Sequence, residues 1–202
     1  MSKLYFRYGA MNSGKSTGLL QTAYNYSERD QVPMIIKPSV DTKGETHVVS
    51  RLGASMPVDV LVGATDDVQA LFQRFRQKTL QLTGREVSCL LVDEAQFLTP
   101  LQVDQLLKVA VQDGIPVIAY GIRTDFKTEA FPGSRRLLEV AHSLEELKTI
   151  CRCGNKATLN ARKQGKKFVF EGDQVAIDND TAIEYESLCP ACYLRARGKF
   201  LS

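Results

Sequence analysis

At 202 residues the chain is long enough for one sizeable core, or for a main domain with a small appendage, burying roughly 70% of the surface an unfolded chain exposes. Lys plus Arg exceed Asp plus Glu by 26 − 23 = +3, with no long block of like charge, which argues against a long-range field for nucleic acid. The start Met1-Ser2-Lys3 carries no apolar signal segment, and no apolar run is long enough to cross a bilayer, so a soluble, cytoplasmic protein without membrane contact is expected.

The apolar run Leu4-Tyr5-Phe6 reads as a strand, and behind it Gly9-Ala10-Met11-Asn12-Ser13-Gly14-Lys15-Ser16 fits the phosphate-binding pattern G-x-x-x-x-G-K-[ST]. Glycines let successive amides turn inward on a polyphosphate, and the helix starting at Thr17-Gly18-Leu19 would aim its positive end at the same point. Lys15 would reach the β and γ phosphates of ATP, and Ser16 would offer a hydroxyl to Mg²⁺. Val32-Pro33-Met34-Ile35-Ile36 suits a buried strand, and the polar stretch Ser39 to Ser50 reads as a mobile loop. Thr65 is the expected cap of a helix whose Val68, Leu71, Phe72 and Phe75 share one face, with Asp66 and Asp67 favourable at its start.

Val87-Ser88-Cys89-Leu90-Leu91-Val92 is a third strand, and it ends in two acids. In a phosphate-loop fold Asp93 is placed to hold magnesium opposite Lys15, with Gln96 on the same cofactor side, while Glu94 points towards the γ-phosphate as a base. Such a pair serves equally well to activate water in a motor ATPase. Thr99-Pro100 opens a helix lined on one side by Val103, Leu106, Leu107 and Ala110; Gly114 stops it, and Ile115 to Tyr120 forms the next strand with Pro116 at its entrance. Strand–helix alternation over the first 140 or so residues indicates an α/β domain with a mainly parallel sheet.

Beyond about Leu147 the texture changes to cysteine pairs, the alternation Lys167-Phe168-Val169-Phe170 and the turn Gln164-Gly165. This reads as a small β-rich lobe. The expected division is 1–144 for the phosphate-loop domain and 145–202 for the lobe, within a boundary zone from Ala141 to Leu147. Arg195 and Arg197 read as a solvated tail. Four of the five cysteines fall in two close pairs, which in a reducing compartment points to metal, and Cys89 suits strand packing.

Met11 inside the phosphate loop, the run Asp93-Glu94-Ala95-Gln96-Phe97, the loop Gly121 to Phe126, the cysteine pairs and Tyr185 together resemble type II thymidine kinase, bacterial type, over nearly the whole chain. The resemblance implies a RecA-like phosphate-loop sheet with a small zinc-binding lobe, and an enzyme that moves the γ-phosphate of MgATP to the 5′-hydroxyl of thymidine in nucleotide salvage. It makes Glu94 the base that activates this hydroxyl. It implies a thymine slot formed by Met11, Phe97, Ile122, Phe126, Phe131 and Tyr185, a structural Zn²⁺ on Cys151, Cys153, Cys189 and Cys192, a homotetramer, and inhibition by the end product dTTP. The first cysteine pair is C-x-C, which on a strand would still face both thiols one way. Two further departures from the family's pattern are Asp41-Thr42-Lys43, where relatives carry D-x-R and where Arg51 would share the grip, and the lasso Ile177 to Glu184, which lacks a Gly-Gly turn.

Overall fold

The computed structural model describes residues 2–40, 46–174 and 183–198. Strand β1 (Leu4–Tyr8) leads through the glycine-rich loop into helix α1 (Lys15–Ser27), and β2 (Val32–Pro38) follows. A short antiparallel hairpin, β3 (His47–Val49) and β4 (Ser55–Pro57), precedes β5 (Val60–Val62), α2 (Val68–Thr83), β6 (Val87–Val92), α3 (Pro100–Val111), β7 (Val117–Gly121), α4 (Pro132–Val140) and β8 (Ser143–Glu146). Among the described residues the large sheet has six strands in the order β5-β2-β6-β7-β1-β8, every neighbouring pair parallel.

Period-two alternation divides each central strand between two cores. Leu90, Val92, Val117 and Ala119 face the core under α2, α3 and α4, whereas Cys89, Leu91, Ile118 and Tyr120 face Leu19, Leu20 and Ala23 of α1. Both faces are covered, as a parallel sheet of near-continuous apolar strands requires. The helices start where the chain supplies acceptors. Thr99 and Gln102 form a reciprocal capping box at α3, followed by Pro100 in the first turn.

Three local expectations are corrected. Asp67, and not Thr65, caps α2, its carboxylate accepting from the Ala70 N–H at 2.9 Å, while Asp66 accepts from the Gly63 N–H at 2.8 Å; a carboxylate is the stronger acceptor and both acids reach free amides. The stretch Ser39 to Ser50 contains strand β3, because Val48 is buried against the α1 core with exposed neighbours on either side and Gly53, at φ 88°, closes the turn to β4. Asp41, Thr42 and Lys43, and residues 177–182 of the expected lasso, lie outside the described residues. Strand β8 lies within the expected boundary zone from Ala141 to Leu147 and pairs with β1 as far as Glu146. Arg195 sits in the last turn of a helix, not in a tail.

Past β8 come β9 (Thr149–Ile150), β10 (Lys156–Ala157), β11 (Leu159–Gln164), β12 (Lys167–Val169), β13 (Ile183–Leu188) and α5 (Pro190–Ala196). β9 and β10 form a small hairpin, and β12-β11-β13 an antiparallel sheet. The lobe's core consists of Cys151, Ala157, Ala161, Leu188, Cys189, Cys192 and Tyr193. So few apolar side chains, worth about 1.5–3 kcal/mol each when buried, leave little margin against chain entropy.

Candidate active site

The C-terminal ends of β6, β7 and β1 lie side by side, so the loops that follow them meet at one rim. The Gly9 amide bonds the Gly121 carbonyl at 3.3 Å, tying two of these loops together. A Cβ on Gly9 would come within 2.4 Å of Ser13 Oγ and 2.6 Å of the Leu147 carbonyl, so only hydrogen fits there. Asn12 and Gly14 both adopt positive φ, 66° and 80°, which curls the loop before α1 begins at Lys15. The Lys15 ammonium folds back over the loop and donates to the Ala10 carbonyl at 3.0 Å and the Gly9 carbonyl at 3.4 Å. The inward amides, the helix N-terminus and this ammonium together make an anion site.

After β6 the chain passes Asp93, which is buried, and turns sharply at Glu94. Glu94 has φ 44° and ψ 42°, a left-handed conformation that a side chain with a Cβ adopts at a cost of order 1–3 kcal/mol. The 3-10 turn Ala95–Phe97 follows at once, closed by the Phe97 N–H on the Glu94 carbonyl. Gln96 donates to Glu94 Oε2 at 2.6 Å and accepts the Ile122 N–H at 3.1 Å, so one buried amide joins the acid to the loop after β7. Gly121 and Gly133 make room for this turn: a Cβ on Gly121 would meet Gln96 Oε1 at 2.7 Å, and one on Gly133 would meet the Ala95 and Leu98 carbonyls at 2.6 Å.

A cavity of about 750 Å³ opens between these loops and the lobe. Met11 through Thr17 form its phosphate-loop end, Glu94 and Gln96 lie on its wall, and Phe97, Ile122, Phe126, Phe131 and Tyr185 complete it. All six residues expected in an aromatic slot therefore line one cavity with the loop and the acid. Phe97 and Phe131 meet edge to face at 5.6 Å, and Phe126 is almost fully buried. Gly9, Ala10 and Asp93 are buried and are not among the lining residues. Arg51, expected to help grip substrate, lines the cavity from the turn after β3.

The lobe adds residues that sequence reasoning missed. Arg162 is buried, with its guanidinium 3.7 Å from the Phe126 ring centre, its Nε donating to the Tyr185 hydroxyl at 3.2 Å and its terminal nitrogen to the Asp173 carbonyl at 2.8 Å. The Tyr193 hydroxyl donates to the Phe126 carbonyl at 2.6 Å. Asp125 accepts from the Lys127 and Glu129 amides and from Gln174, which also lines the cavity. Asn160 bonds both the phosphate loop and the loop after β7. No local pattern signals this role, because Asn160, Ala161 and Arg162 are buried in a row along β11 without period-two alternation.

The sulfur atoms of Cys151, Cys153, Cys189 and Cys192 all lie within 4.8 Å of one another, with Cys153 and Cys189 3.5 Å apart. A tetrahedron with metal–sulfur bonds of about 2.3 Å has edges of about 3.8 Å, so this donor set fits zinc. The Asn155 backbone N–H, helped by the neighbouring thiols, brings the Cys153 thiol down to about 6, while Cys153 and then Cys189 push Cys192 up to about 12. The Cys153 thiolate forms readily and the Cys192 thiolate is opposed, an arrangement that a dication relieves. The C-x-C pair converges through a tight turn, with Gly154 at φ 87° and the Cys151 N–H on the Asn155 carbonyl, and not through strand alternation as expected. Cys189 and Cys192 bracket the first turn of α5. Cys89 is buried in the strand core, as expected.

Three comparisons bear on this arrangement. The family model for thymidine kinase matches residues 2–193. A thymidine kinase of Legionella pneumophila (strain Lens) is 47% identical over 96% of this chain and 90% of its own length, and one of Rhizobium meliloti (strain 1021) is 46% identical over 94% of each. Among solved structures, an ATPase domain superposes with a TM-score of 0.52 at 14% identity, covering 91% of this chain and 80% of that one, a likeness of fold alone. The chain belongs to the thymidine kinase family.

Proposed function

We propose that this member of the family transfers the γ-phosphate of ATP to the 5′-hydroxyl of thymidine within the 750 Å³ cavity, with Glu94 as the base. The observation that carries the reading is that one acid, fixed in a left-handed turn and held by Gln96, lies in the wall shared by the phosphate loop and the aromatic slot. A nucleoside lying against Phe126, Phe131 and Tyr185 would present its sugar hydroxyl towards Glu94, with the phosphate chain at Lys15 beyond. Glu94 takes the hydroxyl proton as the oxygen attacks phosphorus, and a base so placed is worth roughly 10²- to 10⁴-fold in rate. The Lys15 ammonium leaves its carbonyl partners for the phosphates, where the reacting group's charge spreads over its outer oxygens. The stacked rings and the lobe keep bulk water from competing as acceptor.

Gly9, Ala10, Met11, Asn12, Ser13, Gly14, Lys15 and Ser16 hold the triphosphate in this reading. The hydroxyl of Ser16 and the carboxylate of Asp93 are oxygen donors of the kind Mg²⁺ takes, and would hold it; bound there, the ion would supply positive charge to offset that of the phosphate chain. Gln96, expected on the cofactor side, has its amide engaged by Glu94 and Ile122, which supports a role in holding the base. Met11, Phe97, Ile122, Phe126, Phe131 and Tyr185 form the thymine slot, and Arg51 grips sugar or phosphate. Zinc on the four cysteines would be scaffolding, since four thiolates leave no open position. dTTP suits feedback because it carries both a thymine for the slot and a triphosphate for Lys15. The homotetramer, the cytoplasmic location, the salvage role and the division into a 1–144 domain and a 145–202 lobe rest on the family resemblance. Among the described residues no helix is long and apolar enough to cross a bilayer.

ADP release measured with and without thymidine tests the reading. Release should depend on thymidine, ignore DNA, and fall by two orders of magnitude or more in Glu94→Gln with both substrates still bound. Release driven by DNA, or unaltered in Glu94→Gln, would refute it.

A further inference from the structure

Two cross-strand pairs of the lobe's three-stranded sheet face the active-site loops. Asn160 of β11 stands opposite Ser187 of β13, and two residues along the same strands Arg162 stands opposite Tyr185. Positions two apart on a strand share a face, so the four side chains form one patch. The Asn160–Ser187 pair closes on a single residue of the phosphate loop. The Met11 N–H donates to Asn160 Oδ1 at 2.8 Å, and the Met11 carbonyl accepts from Ser187 Oγ. Asn160 is itself held, its Nδ2 donating to the Thr124 carbonyl at 3.0 Å, and Thr149 Oγ1 reaches the Asn12 carbonyl at 3.3 Å. Both Asn160 and Ser187 are buried, so water does not readily replace either bond.

We infer that Asn160 and Ser187 are positioning residues for phosphate binding: the lobe, by gripping both polar groups of Met11, fixes the peptide planes that precede the left-handed turn at Asn12. The inference rests on the phosphate-loop reading above. The physical reason lies in loop geometry. The amides that cradle a phosphate work only when their directions converge, and Asn12 at φ 66° holds a left-handed conformation that a residue with a Cβ does not favour unaided. Elsewhere the loop is held by the Gly9 N–H on the Gly121 carbonyl, by Thr149 on the Asn12 carbonyl and by Lys15 on the Gly9 and Ala10 carbonyls, and a triphosphate would take away the Lys15 bonds by recruiting the ammonium. The bonds from Asn160 and Ser187 persist when that happens. The nucleotide then meets a loop already in shape instead of meeting the entropy cost of ordering it. The base slot is held chiefly by the other pair, Arg162 and Tyr185; Met11 gives that slot only its side chain, while Ser187 holds the Met11 carbonyl, so loss of the Ser187 hydroxyl should weaken the nucleotide more than the nucleoside.

The test is binding of a non-hydrolysable ATP analogue, and separately of thymidine, to the full chain by calorimetry. In Ser187→Ala the analogue's affinity should fall about tenfold with thymidine affinity changed less than threefold, and Ser187→Thr, which keeps the hydroxyl, should restore it. Asn160→Ala should weaken the analogue at least as much. Unchanged analogue affinity in Ser187→Ala, or equal loss of both ligands, would overturn the inference, the second outcome marking a lobe that has merely loosened. A wild-type chain that binds thymidine but no analogue would overturn the phosphate-loop reading itself.

Discussion

Gln96 donates to Glu94 Oε2 at 2.6 Å and at the same time accepts the Ile122 N–H at 3.1 Å, so the acid's direction is set from the neighbouring strand end. Gln96→Leu keeps the volume and removes both bonds. It should lower kcat about tenfold through loss of orientation, with the ATP KM little changed. It should also cost about 1–3 kcal/mol of stability, because the buried Ile122 amide is left without a partner. Steady-state kinetics and a denaturant titration check the two parts, and an unaltered kcat would show that Glu94 needs no such guide.

The zinc reading predicts that the lobe depends on its metal. Cys151→Ser or Cys192→Ser should yield a chain with less than one zinc by elemental analysis and a lobe that opens to protease well below the main transition. The loss has a ceiling on the order of 10 kcal/mol, the scale of a structural zinc site. A strong chelator should do the same to the wild type. Full metal content in either variant would remove those thiols from the site.

Alkaline pH should weaken the fold. Burial pushes the Cys89 thiol from an ordinary value near 9.0 up to about 12, and burial followed by the nearby Cys89 lifts the Tyr26 phenol from 10.0 to about 12. The folded chain then holds protons that the unfolded chain releases, so stability is intact below about pH 9 and declines as pH rises towards 12. Urea midpoints between pH 8 and pH 11, on the scale of those two groups, should show the decline, and Cys89→Ala should flatten part of it.

Leu90 is fully buried between α3 and the sheet, and Leu90→Ala should cost about 2–5 kcal/mol. Since Leu90 lies on β6, three residues before Asp93, activity per folded molecule should stay close to wild type while the melting temperature drops. Parallel loss of both would mean that the strain at Glu94 is held by the whole strand and not by its immediate neighbours.

Much of this was readable in the chain. The loop Gly9 to Ser16, the apolar strand before Asp93 and the helix start at Thr99-Pro100 are local patterns whose physics is complete within a few residues, and each stands where it was expected. The cysteine cluster was equally visible, because thiols in close pairs have few other uses in a reducing compartment. Asn160, Arg162 and Ser187 were not visible, since their partners Met11, Phe126 and Tyr185 lie up to 176 residues away and an Asn or Ser in a short strand carries no signature of its own. Thr65 and Asp67 were confused for the opposite reason: several good capping residues stood together, and only the geometry of the first turn chose between them.

Strand β8 runs beside β1 from Ser143 to Glu146, and the Leu147 N–H then bonds the Tyr8 carbonyl at 2.7 Å just before the glycine loop begins. It therefore screens a flank that would otherwise display a row of bare amides and carbonyls to other molecules. A fragment cut before Ser143 would keep Glu94 and the glycine loop in its sequence, yet would expose that flank to self-pairing and come out of solution as aggregate.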